Sequence, residues 1–472
     1  MMNLKDKKIV VVGLGRTGLA TARFLHQKGA RVLVADTADE TQLGDPVRVL
    51  REMGVALELG PHRMASFQDA DLIVVSPGVS HTIEPIEKAR SLGIPLMGEV
   101  ELAARFIEEP IVAVTGTNGK TTTTELLGQM LKNSGISVFV GGNIGNPLIE
   151  YAGSGPKKQV VVAEISSFQL DTIERFRAQV SVLLNISADH LDRYPDFEAY
   201  ADSKMRVFSN QQADDVAVLN GSDPLIRTKT KAIKSQRLFF PAIENDEQGA
   251  VLNGKRIILN LTRLKRIQST IRIPHSAFRI QEYLDIAKIR LLGRHNFENA
   301  CAASLAALAS GATLEGIQKT LDHFKGLAHR LELIATVNGV EYYNDSKATN
   351  VDGVIRALDS FSKPVVLLMG GRDKGSDFSV LRDHIRAHAK ELIVMGEAAE
   401  AIRAALGQLL PTKDAASMQE AVTTAFEDAA PEDVVLFSPG CASFDWYSNY
   451  AERGDDFRRA VEEIKKRVAG KA

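Results

Sequence analysis

At 472 residues the chain is too long for one core, and at ~150 residues per domain it divides into about three. Apolar residues at 44% and charged residues at 25% are ordinary for a soluble globular protein, and a net charge of -2 gives no support for a nucleic-acid-binding face. No stretch approaches the ~20 apolar residues of a membrane span, the first residues carry no secretory pattern, and Cys301 and Cys441 lack Cys-x-x-Cys spacing, so a cytoplasmic enzyme with free thiols is expected.

Residues 1–108 alternate strand and helix. A strand ending at Val12 runs into Gly13-Leu14-Gly15-Arg16-Thr17-Gly18, then a helix closed by Gly29, then a strand ending at Asp36. This is a dinucleotide-binding fingerprint, whose glycines let a diphosphate approach a helix start. A further strand, Asp71 to Val75, read as the third of this half, leads to the turn Ser76-Pro77-Gly78.

At residues 109–326 the pattern changes to Ile111-Val-Ala-Val-Thr115 followed by Gly116-Thr117-Asn118-Gly119-Lys120-Thr121-Thr122. Strand, glycine turn and helix start in this order make a phosphate site. The glycines turn backbone N–H groups towards an anion, Lys120 brings a mobile charge, and Thr121 brings a hydroxyl to Mg²⁺. The spacing Gly-x-x-Gly-Lys-Thr is tighter than the standard phosphate-loop pattern. An ordinary turn with a solvated lysine is the competing reading.

A second glycine loop, Gly141 to Gly145, follows the next strand and contains Asn143. Glu164 ends the strand Val160 to Ala163, where a carboxylate suits the Mg²⁺ of a triphosphate or else caps the Ser-Ser segment behind it. His190 follows the strand Val180 to Asn185 and is a second candidate metal ligand. Lys204 lies on a helix from Phe197 to Phe208, and nothing in the composition singles it out. Residues near 245–285 are charged and strand-like, with a hairpin signal at Asn253-Gly254 and no evident chemistry. Asn296 and Asn299, at the start of a helix over Phe297 to Leu308, suit either a base edge or helix capping.

Residues 327–472 restart the α/β pattern. A hairpin signal at Asn338-Gly339 precedes the polar loop Asn344 to Asn350. Further strands end in Gly370-Gly371-Arg372-Asp373-Lys374 and in Ser438-Pro439-Gly440-Cys441-Ala442-Ser443-Phe444-Asp445. Three polar loops at strand ends predict a third α/β domain with its ligand edge on one side.

The segments GTNGKTT, EISSFQL, Asp189-His190-Leu191-Asp192-Arg193, GRHNFEN, AHR, NDSKATN, GGRDKG and SPGCASFD occur in the order seen in the Mur ligases. NDSKATN and SPGCASFD resemble the branch of that family that adds D-glutamate. The resemblance implies an N-terminal Rossmann-like domain (1–108) for the UDP substrate, a central phosphate-loop ATPase-type α/β domain (109–326), and a C-terminal Rossmann-like α/β domain (327–472) for the amino acid. It implies an ATP-dependent acid–D-amino-acid ligase, a monomer, acting on UDP-N-acetylmuramoyl-L-alanine and D-glutamate through an acyl phosphate, with ATP and Mg²⁺, in peptidoglycan precursor synthesis.

By that resemblance, Leu14, Gly15, Arg16 and Thr17 lie along UDP, Asp36 and Thr37 face the uracil, Ser76 and Gly78 line the same pocket, and Asn143 meets the muramoyl part. Gly116 to Thr122 hold the phosphates, Asn296 and Asn299 the adenine, and Arg330 and Asp345 the ribose and phosphates. Lys204 matches a lysine that family members carry as a CO₂-derived carbamate. With Thr121, Glu164 and His190 it would complete the metal ligands, and Lys120, Glu164, His190 and Lys204 the catalytic set. Lys347, Thr349, Lys374, Ser443 and Phe444 would hold D-glutamate. The rival readings are another Mur or folate polyglutamate ligase, a nicotinamide dehydrogenase using Gly13 to Asp36, and a non-catalytic nucleotide switch.

Overall fold

A computed structural model describes residues 2–153, 157–189, 193–243, 247–261, 264, 280–289 and 291–470. It separates into two compact units: Met1–Ile186, Arg193–Ala287 and Asn299–Asp322 form the first, and Ser187–Asp192, Lys288–Glu298 and His323–Ala472 the second.

The first unit contains two sheets. One is built from β1 (Lys8–Val12), β2 (Arg31–Asp36), β3 (Ala56–Leu59), β4 (Leu72–Val75) and β5 (Leu96–Gly98), all parallel in the order β3-β2-β1-β4-β5. β3 is half-buried to exposed and lacks the continuous apolar run of its neighbours, so sequence pattern does not reveal it, and the strand read as third is the fourth. Strand order reverses between β1 and β4, and the loops after these strands flank the switch point, where open sheets bind ligands.

The second sheet comprises β6 (Ile111–Thr115), β7 (Val138–Gly142), β8 (Val160–Glu164), β9 (Val180–Leu183), β10 (Val216–Asn220), β11 (Gln236–Phe240), β12 (Gly249–Asn253), β13 (Arg256–Leu261) and β14 (Ile280–Asp285). Its order is β14-β13-β12-β11-β10-β9-β6-β8-β7. β6, β8 and β9 are continuously buried, as parallel strands covered on both faces must be. The charged stretch adds β12 parallel to β11, then β13 and β14 antiparallel beyond it, and the predicted hairpin forms with Asn253 paired to Arg256 and Gly254-Lys255 in the turn.

These two sheets share one apolar core. Phe24 and Phe106 meet edge to face with centroids 5.0 Å apart, and Leu148, Ile149, Val161 and Ala163 belong to the same cluster. Two buried carboxylates add polar ties. Glu101 accepts the backbone N–H groups of Glu174, Arg175 and Phe176 at 2.9 Å each, and Glu99 accepts that of Ile149 at 2.7 Å.

The second unit is built on β15 (Glu332–Val337), β16 (Val340–Asn344), β17 (Val365–Gly370), β18 (Ala389–Met395), β19 (Thr412–Ala415) and β20 (Val434–Phe437), in the order β15-β16-β20-β17-β18-β19. Only β15 with β16 is antiparallel, and Asn338 and Gly339 both take positive φ in the turn between them. β16, β20 and β17 are immediate neighbours and run parallel, so the loops leaving their C-terminal ends emerge side by side. Among the described residues no helix is long and apolar enough to cross a membrane.

Candidate active site

The loop after β6 turns at Gly116 (φ 148°) and Gly119 (φ 85°) before the helix Lys120–Asn133. A Cβ at Gly119 would lie 2.4 Å from the Asn299 Oδ1, so the loop needs glycine there for both backbone and space. Asn185, at the end of β9, holds the loop from below. Its carbonyl accepts the Thr117 N–H at 3.0 Å, its Oδ1 accepts the Asn118 N–H at 2.8 Å, and its Nδ2 donates to the Asn118 carbonyl at 3.0 Å. The Lys120 Nζ turns back over the loop and donates to the Gly116 and Thr117 carbonyls, both at 2.8 Å. It is half-buried, unlike a solvated surface lysine.

Glu164 ends β8 beside this loop and is buried. It accepts the Thr121 hydroxyl at 2.8 Å and the Asn143 amide at 3.1 Å. The capping role belongs to Ser166, whose side chain accepts the Gln169 N–H while Gln169 reaches back to Ser166, so Glu164 is left for the phosphate corner. A carboxylate and a hydroxyl meeting at a helix start are hard oxygen donors of the kind Mg²⁺ takes alongside phosphate oxygens.

Lys204 is 2% exposed. Its Nζ donates to the Gly116 carbonyl at 2.9 Å and lies 4.6 Å from the centroid of the Tyr200 ring, whose hydroxyl is 3.1 Å from the Thr117 hydroxyl. The helix residue that sequence pattern could not distinguish therefore points under the phosphate loop. His190 lies outside the described residues. Among the described residues no group of three or more His, Cys, Asp and Glu side chains is poised around a metal position.

At the first switch point, Gly15 caps the helix Arg16–Gln27 and a Cβ there would meet nothing within 4 Å, whereas one at Gly18 would collide with the Gly13 carbonyl at 1.8 Å. The second glycine admits a ligand, and the third permits close packing. Asp36 accepts the Leu14 N–H at 2.6 Å and the Ala38 N–H at 2.8 Å, tying the loop to the end of β2. Thr37 is exposed beside it, Thr17 is half-buried in the first helical turn, and Ser76 donates to the Gly13 carbonyl at 2.9 Å. The Gly78 carbonyl accepts from Arg193 at 3.3 Å.

One segment connects the two ligand loops. From Gly142 to Asn146 the chain gives Asn143 to Glu164 at the phosphate corner and Asn146 to Arg16 at the diphosphate loop. Sequence spacing gives no sign of this bridge, because its ends pair with residues far away in the chain.

Asn299 is buried and belongs to the first unit; Asn296, one turn earlier on the helix Arg294–Ala309, is counted with the second. Asn296 donates to the Leu292 carbonyl at 2.7 Å, a bond back to the turn before the helix and not an N-cap, which would accept a backbone N–H.

In the second unit, Asp345 is buried and accepts the Leu331 N–H at 3.2 Å and the Ser438 hydroxyl at 3.0 Å. Burial pushes its carboxyl up to about 7. The Arg330 backbone N–H donates to the Leu327 carbonyl at 3.3 Å, and Arg330 offsets part of the charge on Asp345. The Lys347 Nζ stands 3.7 Å from the centroid of the Tyr450 ring. Thr349 is half-buried, Lys374 exposed and Ser443 buried, while Phe444 is 58% exposed. Tyr450 and Arg453, on the helix Tyr450–Ala469, were not singled out by sequence reasoning; they lie on an amphipathic helix whose pattern reads as packing alone. Arg453 is 2% exposed and is hydrogen-bonded to the two loops that carry Lys347 and Ser443.

Three family models match in register with this architecture. They are the Mur ligase MurD-like N-terminal domain over residues 7–98, the Mur ligase middle domain over 114–307, and the Mur ligase glutamate ligase domain over 329–441. Curated relatives named UDP-N-acetylmuramoylalanine--D-glutamate ligase include one from Desulfosudis oleivorans, 52% identical over 98% of this chain and 97% of its own. Another, from Desulfatibacillum aliphaticivorans, is 53% identical over 98% of this chain and 99% of its own. Among solved structures, a pseudomurein peptide ligase type C from Methanothermus fervidus aligns with a TM-score of 0.60 at 22% identity, covering 97% of this chain and 100% of that one. The MurF ligase from Thermotoga maritima in complex with ADP aligns with a TM-score of 0.60 at 17% identity, covering 98% and 100%.

Proposed function

The chain belongs to the Mur ligase family, and on that premise we propose that it joins D-glutamate to UDP-N-acetylmuramoyl-L-alanine at the expense of ATP. The observation that carries this reading is the near-full-length identity, 52% and 53%, to relatives that all bear the name of that activity. We further propose domain limits at 1–108, 109–326 and 327–472, action as a monomer, and a cytoplasmic setting.

In this reading the carboxylate of the UDP substrate attacks the γ-phosphorus of ATP, releasing ADP and forming an acyl phosphate. The amine of D-glutamate then attacks the acyl carbon, and the tetrahedral intermediate expels phosphate to leave the amide. A bare carboxylate is a poor acyl donor; phosphorylation supplies the leaving group.

Lys120 exchanges its Gly116 and Thr117 carbonyls for the outer phosphates, offsetting charge on the transferring phosphoryl. The phosphates lie along residues 116–122, where the N–H groups at the start of the helix Lys120–Asn133 face them while those of Thr117 and Asn118 stay with Asn185, and Asn299, with Asn296, addresses the base. Arg330 and Asp345 reach the ribose and phosphates. Mg²⁺, when bound, neutralises phosphate charge, and Thr121 and Glu164 are the residues fitted to hold it. Asn143 keeps the Glu164 carboxylate turned towards Thr121 and carries the same segment to the muramoyl substrate.

Carbamylation of Lys204 would replace its ammonium with a carboxylate while retaining one N–H for the Gly116 carbonyl, and with His190 it would offer a second metal position. Leu14 to Thr17, Asp36, Thr37, Ser76 and Gly78 hold UDP. Lys347 and Lys374 each meet one carboxylate of D-glutamate, with Thr349, Ser443 and Phe444 around them.

Phosphate release from ATP, measured with the UDP substrate and with or without D-glutamate, tests the proposal alongside mass analysis of the product. Release that needs both substrates, with one glutamyl residue added, is expected. Turnover with neither substrate would refute it in favour of a nucleotide switch. Glutamyl addition to a folate instead would support the polyglutamate-ligase alternative.

A further inference from the structure

The three polar loops at the ends of β16, β17 and β20 converge on one buried side chain. Arg453 is 2% exposed, and all three guanidinium nitrogens are used. Its Nε donates to the Ser346 hydroxyl at 3.1 Å and one Nη to the Ser346 carbonyl at 2.8 Å and the Cys441 carbonyl at 3.1 Å. The other Nη donates to the Ala442 carbonyl at 3.1 Å.

The third loop packs on the same group. A Cβ at Gly371 would lie 2.9 Å from an Arg453 Nη and 2.3 Å from the Ala442 carbonyl, and Arg372 and Ala442 exchange backbone hydrogen bonds at 2.9 and 3.0 Å. The residues clamped directly, Ser346 and Cys441-Ala442, immediately precede Lys347 and Ser443. Fixing their carbonyls therefore fixes where those two side chains begin.

The acceptors are neutral: three carbonyls and a hydroxyl. Burial without a directly bonded carboxylate lowers the affinity of Arg453 for its proton, to about 10, still far above neutrality. A persistent cation thus sits behind the loops, and a dianionic amino acid bound in front of them would be favoured by its field.

We propose that Arg453 is a positioning residue for the amino-acid substrate, setting the separation of Lys347 and Ser443 and supplying a fixed positive charge behind them. This rests on the assignment of those loops to D-glutamate. Substrate contact stays with the loops. Arg453 acts through them, and lysine cannot replace it, since an ammonium cannot span acceptors on both loops in one plane.

The test compares Arg453→Lys and Ser346→Ala with the parent protein in two assays. The first is the D-glutamate KM and kcat. The second is trapping of the acyl phosphate by hydroxylamine as a hydroxamate, which needs ATP and the UDP substrate but no D-glutamate. Arg453→Lys is expected to raise the KM at least about tenfold while hydroxamate formation stays within about threefold. Ser346→Ala, which removes one acceptor and little volume, is expected to raise it about two- to fivefold.

A KM unchanged in both variants overturns the proposal, as does hydroxamate formation that falls in step with amide synthesis. If Arg453→Lys does not fold, Ser346→Ala alone decides by the same criteria. Lys347→Ala and Lys374→Ala separate the two levels. If they leave the KM unchanged, the site assignment fails; if they raise it and the Arg453 and Ser346 variants do not, only the bracing role fails.

Discussion

Replacing Glu99 with glutamine should stabilise the protein, and only above the acid range. Glu99 is 1% exposed; one carboxylate oxygen accepts the Ile149 N–H at 2.7 Å and the other is buried without a hydrogen-bond partner. Burial raises its carboxyl from 4.5 to about 7, because the charged form loses more solvation than the Ile149 and Leu148 amides restore. A raised folded-state value means the protonated form is the one that the fold favours. Stability from this group is therefore complete below about 4.5, declines as pH rises, and is lost above about 7. At ~1.4 kcal/mol per pH unit, the penalty at pH 8 is about 3 kcal/mol, and at pH 5 it is below about 1 kcal/mol.

Glutamine keeps the acceptor for Ile149 and cannot ionise. At ~2–4 °C per kcal/mol, Glu99→Gln should raise the melting temperature of the first unit by roughly 5–10 °C at pH 8 and by much less at pH 5. Calorimetry of both proteins at pH 5, 6, 7 and 8 measures the difference. An equal change at every pH, or a loss at pH 8, would refute the reasoning.

Three further outcomes concern the site. Glu164→Gln should lower kcat by about 10²–10³-fold and raise the Mg²⁺ concentration needed for half activity, since the amide offers a weaker donor beside Thr121; an unchanged Mg²⁺ titration counts against that role. Lys204→Ala should lose activity that short carboxylic acids partly restore, whereas full activity without them would remove Lys204 from the metal site. Lys374→Ala should chiefly raise the D-glutamate KM, by about tenfold or more, with little change in the KM of ATP, and equal effects on both substrates would contradict the assignment.

Much of this protein is local in origin. The glycine turns after β1 and β6 are legible because positive φ and close approach leave few residue choices, and the buried strands are legible as unbroken apolar runs. The Asn338-Gly339 hairpin and the order of the ligand loops follow from the same short-range rules. The sequence by itself therefore determined three successive α/β segments, a phosphate loop with Lys120 and Thr121, and the candidate residues around it.

Tertiary structure decided which of those residues meet. Glu164 could have capped its own helix, but β8 beside β6 carries it to Thr121. Lys204 lies on a helix with no marked apolar face, and only the tertiary placement of that helix brings it to the Gly116 carbonyl. β3 is not legible locally because its pairing with β2, not its own composition, makes it a strand. The first two sheets share a core through Phe24, Phe106 and Leu148, contacts that no local pattern encodes. Arg453 is the extreme case: its neighbours lie about a hundred residues and about a dozen residues away along the chain, and strand order alone brings both loops to one guanidinium.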